Sequence, residues 1–157
     1  MRLTGVADLL APRRPRVAGA NSSGWSAPPR DPAYGVEVPF ACGYDDGPAS
    51  LDLLNKARVT QCALSRVCGS CGEGLDRPLA FVGTGEEDGR NAFHFPPLHP
   101  ACADRLVATL RDHGIPVPGQ AARHGAGDPV VVTCAAFEFV RPTAADPDRR
   151  PVFTPLR

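Results

Sequence analysis

The sequence has few aromatic residues, a single lysine and no long apolar run. Aromatic side chains account for only 6% of the 157 residues, so a hydrophobic core must depend mainly on Val, Leu and Ala. No run approaches the roughly 18 apolar residues that a membrane-spanning helix requires, and we expect no membrane association. Basic and acidic residues are equal in number, at 17 each, which excludes a strong overall attraction to nucleic acid or to an anionic membrane.

The N-terminal residues also lack a recognisable secretory signal. The apolar segment "VADLLA" is too short for such a signal, and "PRRPR" follows it directly. We therefore expect a cytoplasmic protein, whose thiols stay reduced. Six cysteines in a reducing compartment indicate metal binding or catalysis before they indicate disulfides.

Proline and glycine are abundant, at 18 and 16 residues, and they favour short elements joined by turns. We predict a small α+β domain over residues 34–142 between two disordered tails, a Pro- and Arg-rich one over 1–33 and another over 143–157. Up to Arg30 the chain has five arginines and one acidic residue, Asp8. This segment is either a solvated linker or a basic arm for an acidic partner or RNA.

Two segments have the capping residues and the apolar spacing of helices. The first, "NKARVTQCALSR", begins with Asn55 as a predicted N-cap and places Val59 and Cys62 on one face. Cys62 is therefore predicted to be buried. The second helix is predicted to begin at Pro100 and to end just before Gly114.

Alternating apolar residues predict strands elsewhere in the domain. Residues 36–40 alternate apolar side chains with a glutamate and a proline, which predicts an edge strand. The segments "RPLAFVG" and "NAFHFP" are joined by the polar "TGEEDGR", which predicts a β-hairpin with a long loop. The segment "PVVVTCAAFEFVRP" predicts one long strand. His94 is predicted to be exposed, on the strand face opposite Phe93 and Phe95.

Four potential metal ligands occur as two closely spaced pairs. Cys68 and Cys71 lie in the glycine-rich "RVCGSCGEGL", and His99 and Cys102 lie at the start of the second helix. Two residues between ligands let the backbone turn so that both side chains face one ion, and a helix N-terminus favours the thiolate form of cysteine. Three thiolates and one imidazole complete a tetrahedral shell, which predicts one structural Zn²⁺.

Other roles for these cysteines fit the pattern less well. A thioredoxin-like redox pair requires a strand before the CxxC motif and a helix that starts at it, and an iron–sulfur cluster prefers four cysteines. A catalytic zinc ion needs an open coordination position, and no histidine is followed by the acidic residue of the deaminase signature. The remaining cysteines, Cys42, Cys62 and Cys134, are predicted to be buried thiols or, alternatively, a second metal cluster.

The order of these motifs resembles a treble-clef zinc finger. "CGSC", the pair "PLAFVG" and "AFHFPP", and then "HPAC" match its knuckle, hairpin and helix over about residues 62–113. The ligand set also resembles the first half of a LIM module, although no second zinc site follows Cys102. Over roughly residues 36–110 the chain resembles small uncharacterised proteins of actinobacteria and their phages, which implies zinc binding and a cytoplasmic setting but no activity.

These observations predict a non-enzymatic zinc protein that acts as a protein–protein interaction or adaptor module for an unknown protein partner. The alternative is a nucleic-acid-binding or regulatory zinc-finger protein that uses the basic N-terminal arm. Residues 62–113 have five arginines and seven acidic residues, whereas a nucleic-acid-binding finger usually presents a basic face. A nuclease-like treble-clef enzyme is the third hypothesis, and the sequence has no HNH-like pattern to support it.

Overall fold

The structure, a computed structural model, describes residues 28–42, 49–120 and 127–157. In chain order its elements are a 3₁₀ helix (Phe40–Cys42), α1 (Lys56–Ser65), β1 (Leu79–Gly83), α2 (Gly85–Arg90), α3 (Pro100–His113), β2 (Val130–Cys134), β3 (Ala136–Val140) and β4 (Val152–Leu156). The predicted mixture of helices and strands is confirmed. None of the helices in these ranges has both the length and the apolar character needed to cross a bilayer.

Helix α1 begins where the sequence predicts, because Asn55 caps it. The Asn55 side chain accepts hydrogen bonds from the backbone N–H groups of Ala57 and Arg58, at 3.0 and 3.4 Å. These bonds satisfy two donors that have no partner within the first helical turn. The helix ends at Arg66, which has a left-handed φ of 55°. Cys62 lies on the buried face, as predicted.

Helix α3 places the second ligand pair at its N-terminus. His99 is the N-cap and Pro100 the first helical residue, a position where the missing N–H of proline costs nothing. Gly114 ends the helix with a φ of 63°, which glycine adopts without strain. The buried face contacts β1 and β2 and consists of Cys102, Ala103, Leu106, Val107 and Leu110.

The hairpin predicted from "RPLAFVG" and "NAFHFP" does not form. Strand β1 pairs antiparallel with β2, in a register that places Leu79 opposite Cys134. Ala80 and Leu98 form one isolated bridge, in which each backbone N–H donates to the other carbonyl at 2.8 Å. This bridge is the backbone pairing between β1 and the segment that leads into α3.

The polar connector predicted as a hairpin loop is the short helix α2. Thr84 Oγ1 accepts the backbone N–H of Glu87 at 3.1 Å, and Glu87 Oε1 accepts the N–H of Thr84 at 2.9 Å. This reciprocal capping box starts the helix. The second carboxylate oxygen of Glu87 accepts the N–H of His94 at 3.0 Å. One carboxylate that is 1% exposed therefore ties α2 to the segment that follows it.

We expect Glu87→Gln to lower the free energy of unfolding by about 2 kcal/mol, because glutamine has one acceptor oxygen for two buried N–H donors. Glu86→Gln is the matched control, since the Glu86 side chain is 64% exposed and pairs with Arg90 one turn away, a contact worth about 0.3 kcal/mol. Urea denaturation measures the difference. Equal losses in the two variants would contradict the role given to Glu87.

The C-terminal part of the chain differs from the prediction in two ways. The segment predicted as one long strand is two strands, β2 and β3, which belong to different two-stranded sheets. The tail predicted over residues 143–157 is wrong for Val152–Leu156, because these residues form β4 and pair antiparallel with β3. Phe153 of β4 has 0% exposed surface, so the core extends almost to the end of the chain.

The aromatic residues, although few, are concentrated where the two sheets meet. The ring centroid of Phe153 lies 5.9 Å from that of Phe81, 5.6 Å from Phe137 and 5.0 Å from Phe139. Phe93 packs on Phe81 at 5.6 Å. Tilted rings at these distances have favourable contacts beyond the area they bury. Five of the seven phenylalanines thus form one cluster.

The edge strand predicted over residues 36–40 is wrong. This segment makes a single isolated backbone bridge, and Phe40–Cys42 forms a fully buried 3₁₀ helix. The backbone N–H of Phe40 donates to the carbonyl of Ser70 at 3.0 Å. The backbone N–H groups of Phe40 and Ala41 therefore pair with the Cys68–Cys71 turn, whereas Val36 and Val38 pair with residues 29–31, and the segment does not continue a sheet.

The tail predicted over residues 1–33 is described only from residue 28 onward. The basic arm, apart from Arg30, lies outside the described residues. Asp31 is 2% exposed, and its carboxylate accepts the N–H of Leu51 and that of Ala33, each at 2.7 Å. The folded part of the chain therefore includes residues before the predicted boundary.

Candidate metal centre

The four predicted ligands converge on one point. The donor atoms of Cys68, Cys71, His99 and Cys102 all lie within 4.8 Å of one another. The first two come from the turn after α1 and the other two from the N-terminus of α3. The cluster therefore joins two elements that are distant in sequence.

The turn that contains the first pair is shaped by its own backbone hydrogen bonds. The N–H of Cys68 donates to the carbonyl of Glu73 at 2.7 Å, and the N–H of Gly72 donates to the carbonyl of Cys68 at 2.9 Å. Gly72 has a φ of +78°, a value that favours glycine. The Sγ atom of Cys68 accepts the N–H groups of Ser70 and Cys71, at 3.3 and 3.5 Å, and such donors stabilise thiolate.

Two glycines let this turn pack closely against the core. A Cβ atom on Gly69 would lie 3.1 Å from a ring carbon of Phe95, and one on Gly72 would lie 3.0 Å from a ring carbon of Phe40. These distances are shorter than ordinary carbon–carbon contacts. The glycines in "CGSCG" thus have a packing role as well as a conformational one.

The second pair is oriented by a hydrogen bond on the far side of the imidazole. His99 Nε2 lies 2.8 Å from the carbonyl oxygen of Gly74, so it carries a proton and donates it. The other ring nitrogen, Nδ1, faces the sulfurs of Cys71 and Cys102 at 3.5 and 3.8 Å. Metal-binding histidines generally have such a partner for the second nitrogen, because it fixes the tautomer and the ring orientation.

These distances fit a tetrahedral ion. Bonds of about 2.3 Å to sulfur and about 2.0 Å to nitrogen in a tetrahedral arrangement place sulfur and nitrogen about 3.5 Å apart. The two nitrogen–sulfur distances of 3.5 and 3.8 Å agree with that value. The cluster is therefore of the right size to hold one metal ion.

The four groups also alter one another's protonation. Burial raises the pKa of Cys68, but hydrogen bonds from Cys102, Cys71 and His99 outweigh it and hold this pKa well below its usual range. Hydrogen bonds to Cys68 and Cys71 raise the pKa of His99 to about 11, and the same two cysteines raise the pKa of Cys102. A cation bound here would displace protons from His99 and Cys102, so binding weakens as pH falls.

The three other cysteines are buried, as predicted. Burial raises the pKa of Cys42, Cys62 and Cys134, so these thiols stay neutral. All six cysteines are free. Within the described ranges, the group of Cys68, Cys71, His99 and Cys102 is the one set of three or more residues close enough to share a metal ion. The alternative cluster of Cys42, Cys62 and Cys134 does not form.

His94 is buried and does not belong to the cluster of predicted metal ligands, so its predicted exposure is wrong. It is 3% exposed, and its Nδ1 lies 3.0 Å from the carbonyl oxygen of Pro151. Its Nε2 lies 3.9 Å from a carboxylate oxygen of Asp148. The unpredicted strand β4 and the residues just before it bury this side chain.

One residue of the site was not anticipated from the sequence. The Nη2 atom of Arg105 donates to the Sγ atom of Cys102 at 3.1 Å. The two residues are three apart on α3, a spacing that places side chains side by side on a helix. The spacing of three residues was the one feature of the sequence that could have suggested this contact.

No family model, no curated protein and no solved structure matches this chain. The resemblance to small proteins of actinobacteria and their phages therefore has no support from identified relatives. The cluster of three cysteines and one histidine, with donor atoms that lie within 4.8 Å of one another, is the feature on which a functional assignment can be based.

Proposed function

We propose that the chain is a non-enzymatic protein in which Cys68, Cys71, His99 and Cys102 hold one structural Zn²⁺. The convergence of their donor atoms within 4.8 Å is the observation that carries this proposal. Three thiolates and one imidazole in a tetrahedral arrangement are typical of zinc. Four protein ligands close the coordination shell, and this argues against catalysis by the metal.

We also propose that the site is a variant of the treble clef. The turn with the first ligand pair, the bridge between Ala80 and Leu98, and the N-terminus of α3 follow in the order of that motif. In this variant the Ala80–Leu98 bridge would replace the full hairpin, because β1 forms its ladder of backbone hydrogen bonds with β2. A structural ion would hold the turn and the helix together in a chain with a modest core.

The proposed role is binding to another protein in a reducing compartment. All six thiols are free, which is consistent with the cytoplasm. Among the described residues β3 pairs with β4 alone, so its second edge can accept a strand from a partner.

Nucleic-acid binding through the N-terminal arm is the alternative, and it rests on the five arginines up to Arg30. Binding of the zinc-loaded full chain to random DNA and RNA at several salt concentrations separates the two roles. The protein-binding role predicts weak binding with little salt dependence. Tight binding whose affinity falls steeply with salt would favour the alternative, since released counterions produce that slope.

A further inference from the structure

We infer that Arg105 is a positioning residue of the metal centre, where its guanidinium compensates the charge of the ligand set and orients Cys102. The inference rests on the proposed zinc site. A Zn²⁺ ion with three thiolates and one neutral imidazole has a net charge of −1. The Arg105 guanidinium adds a single positive charge in direct contact with one of the three sulfurs, at 3.1 Å.

Each of the three sulfurs has a different source of stabilisation for its negative charge. Cys68 is 0% exposed and accepts two backbone N–H groups. Cys71 is half-buried, so it is less completely removed from water than the other two. Cys102 is 4% exposed, and a buried anion requires a donor. Arg105 is that donor, and a charge-assisted hydrogen bond of this kind is stronger than a neutral one.

The charge of Arg105 is available for this role. Among the described residues no carboxylate lies within 4.0 Å of its guanidinium, whereas Arg90, Arg111, Arg150 and Arg157 all have such a partner. Arg105 lies one turn after Cys102 on α3, so the helix itself holds the two side chains on the same face.

The test compares zinc affinities of the full chain by competition with a chromophoric chelator. Arg105→Ala is expected to bind zinc about tenfold more weakly, at the lower end of the range for residues that support metal ligands, because the arginine side chain is exposed and water screens it. Arg105→Lys keeps the positive charge but replaces the planar guanidinium with a single ammonium group, so this variant should recover part of the lost zinc affinity. Arg111→Ala, on the same helix and paired with Asp128 at 3.4 Å, is the matched control and should bind as wild type does.

A second measurement reports on the Cys102 sulfur itself. In the Co²⁺-substituted protein, the sulfur-to-metal charge-transfer band depends on hydrogen bonds to the thiolates, so Arg105→Ala should shift this band and Arg111→Ala should not. A variant that merely folded less well would lose band intensity without a shift. If Arg105→Ala binds zinc within twofold of Arg111→Ala and leaves the band in place, the inference is wrong although the zinc site stands. If the wild-type chain binds no zinc, both proposals fail.

Discussion

Replacing Cys71 by serine is expected to abolish tight zinc binding and to unfold the domain. Serine is a poor ligand because its hydroxyl does not ionise near neutral pH, so the tetrahedral shell would lose one of its four donors. A structural zinc ion contributes on the order of 10 kcal/mol to folding, which is comparable to the whole stability of a small domain. Thermal unfolding followed by circular dichroism, with zinc quantified in the same sample, measures both effects.

Cys134→Ser is the matched control for this experiment. It makes the same change of sulfur to oxygen in a buried cysteine, which is 8% exposed and lies outside the metal cluster. Its expected cost is about 1–2 kcal/mol, from burial of a hydroxyl group, with full retention of zinc. A Cys71→Ser protein that kept a full complement of zinc and the melting temperature of wild type would contradict the structural role of the site.

Phe153→Ala is expected to lower the free energy of unfolding by about 3–5 kcal/mol, because it removes a fully buried ring and leaves a cavity. This side chain is 0% exposed and contacts Phe81, Phe137 and Phe139. Its backbone forms two hydrogen bonds with Phe93, at 2.7 and 2.8 Å. Chemical denaturation of the zinc-loaded protein gives the value.

Leu156→Ala serves as the control for the same strand, since Leu156 is 48% exposed and should change stability by less than about 1 kcal/mol. A Phe153→Ala loss no larger than that of Leu156→Ala would show that β4 is not part of the core. It would restore the interpretation of residues 143–157 as a tail.

The features that were predicted correctly from the sequence are local ones. The cap of α1 depends on Asn55 and the next three residues, and the start of α3 depends on Pro100. The four residues whose donor atoms the structure brings together occur as two pairs, and two residues separate the members of each pair, a spacing that is typical of zinc ligands. Short-range stereochemistry determines the helix caps and the spacing within each pair, so a single sequence contains that information. The meeting of the two pairs depends on the fold as a whole.

The features that were missed depend on distant pairings or on competing local signals. Strand β1 pairs with β2, which lies far along the chain, and alternation alone does not identify a partner. The connector "TGEEDGR" contains both a hairpin-like pair of glycines and the Thr84–Glu87 capping box, and the capping box prevails. β4 contains Pro155, which usually argues against a strand, although an edge strand tolerates it.

The contact between Arg105 and Cys102 was missed for a different reason. An arginine three residues after a cysteine on a helix is common, and nothing in the spacing shows whether the guanidinium faces the sulfur or the solvent. The structure gives the contact, at 3.1 Å. Supporting residues of a metal site depend on side-chain orientation, which the ligand pattern alone does not specify.

The most direct test of the central claim is elemental analysis of the full chain, purified without added metal and with the protein concentration determined independently. We predict one equivalent of zinc per chain, and a strong chelator should remove it together with the cooperative thermal transition. A chain that contains no stoichiometric zinc, does not take it up when it is offered, and still unfolds cooperatively would contradict the account.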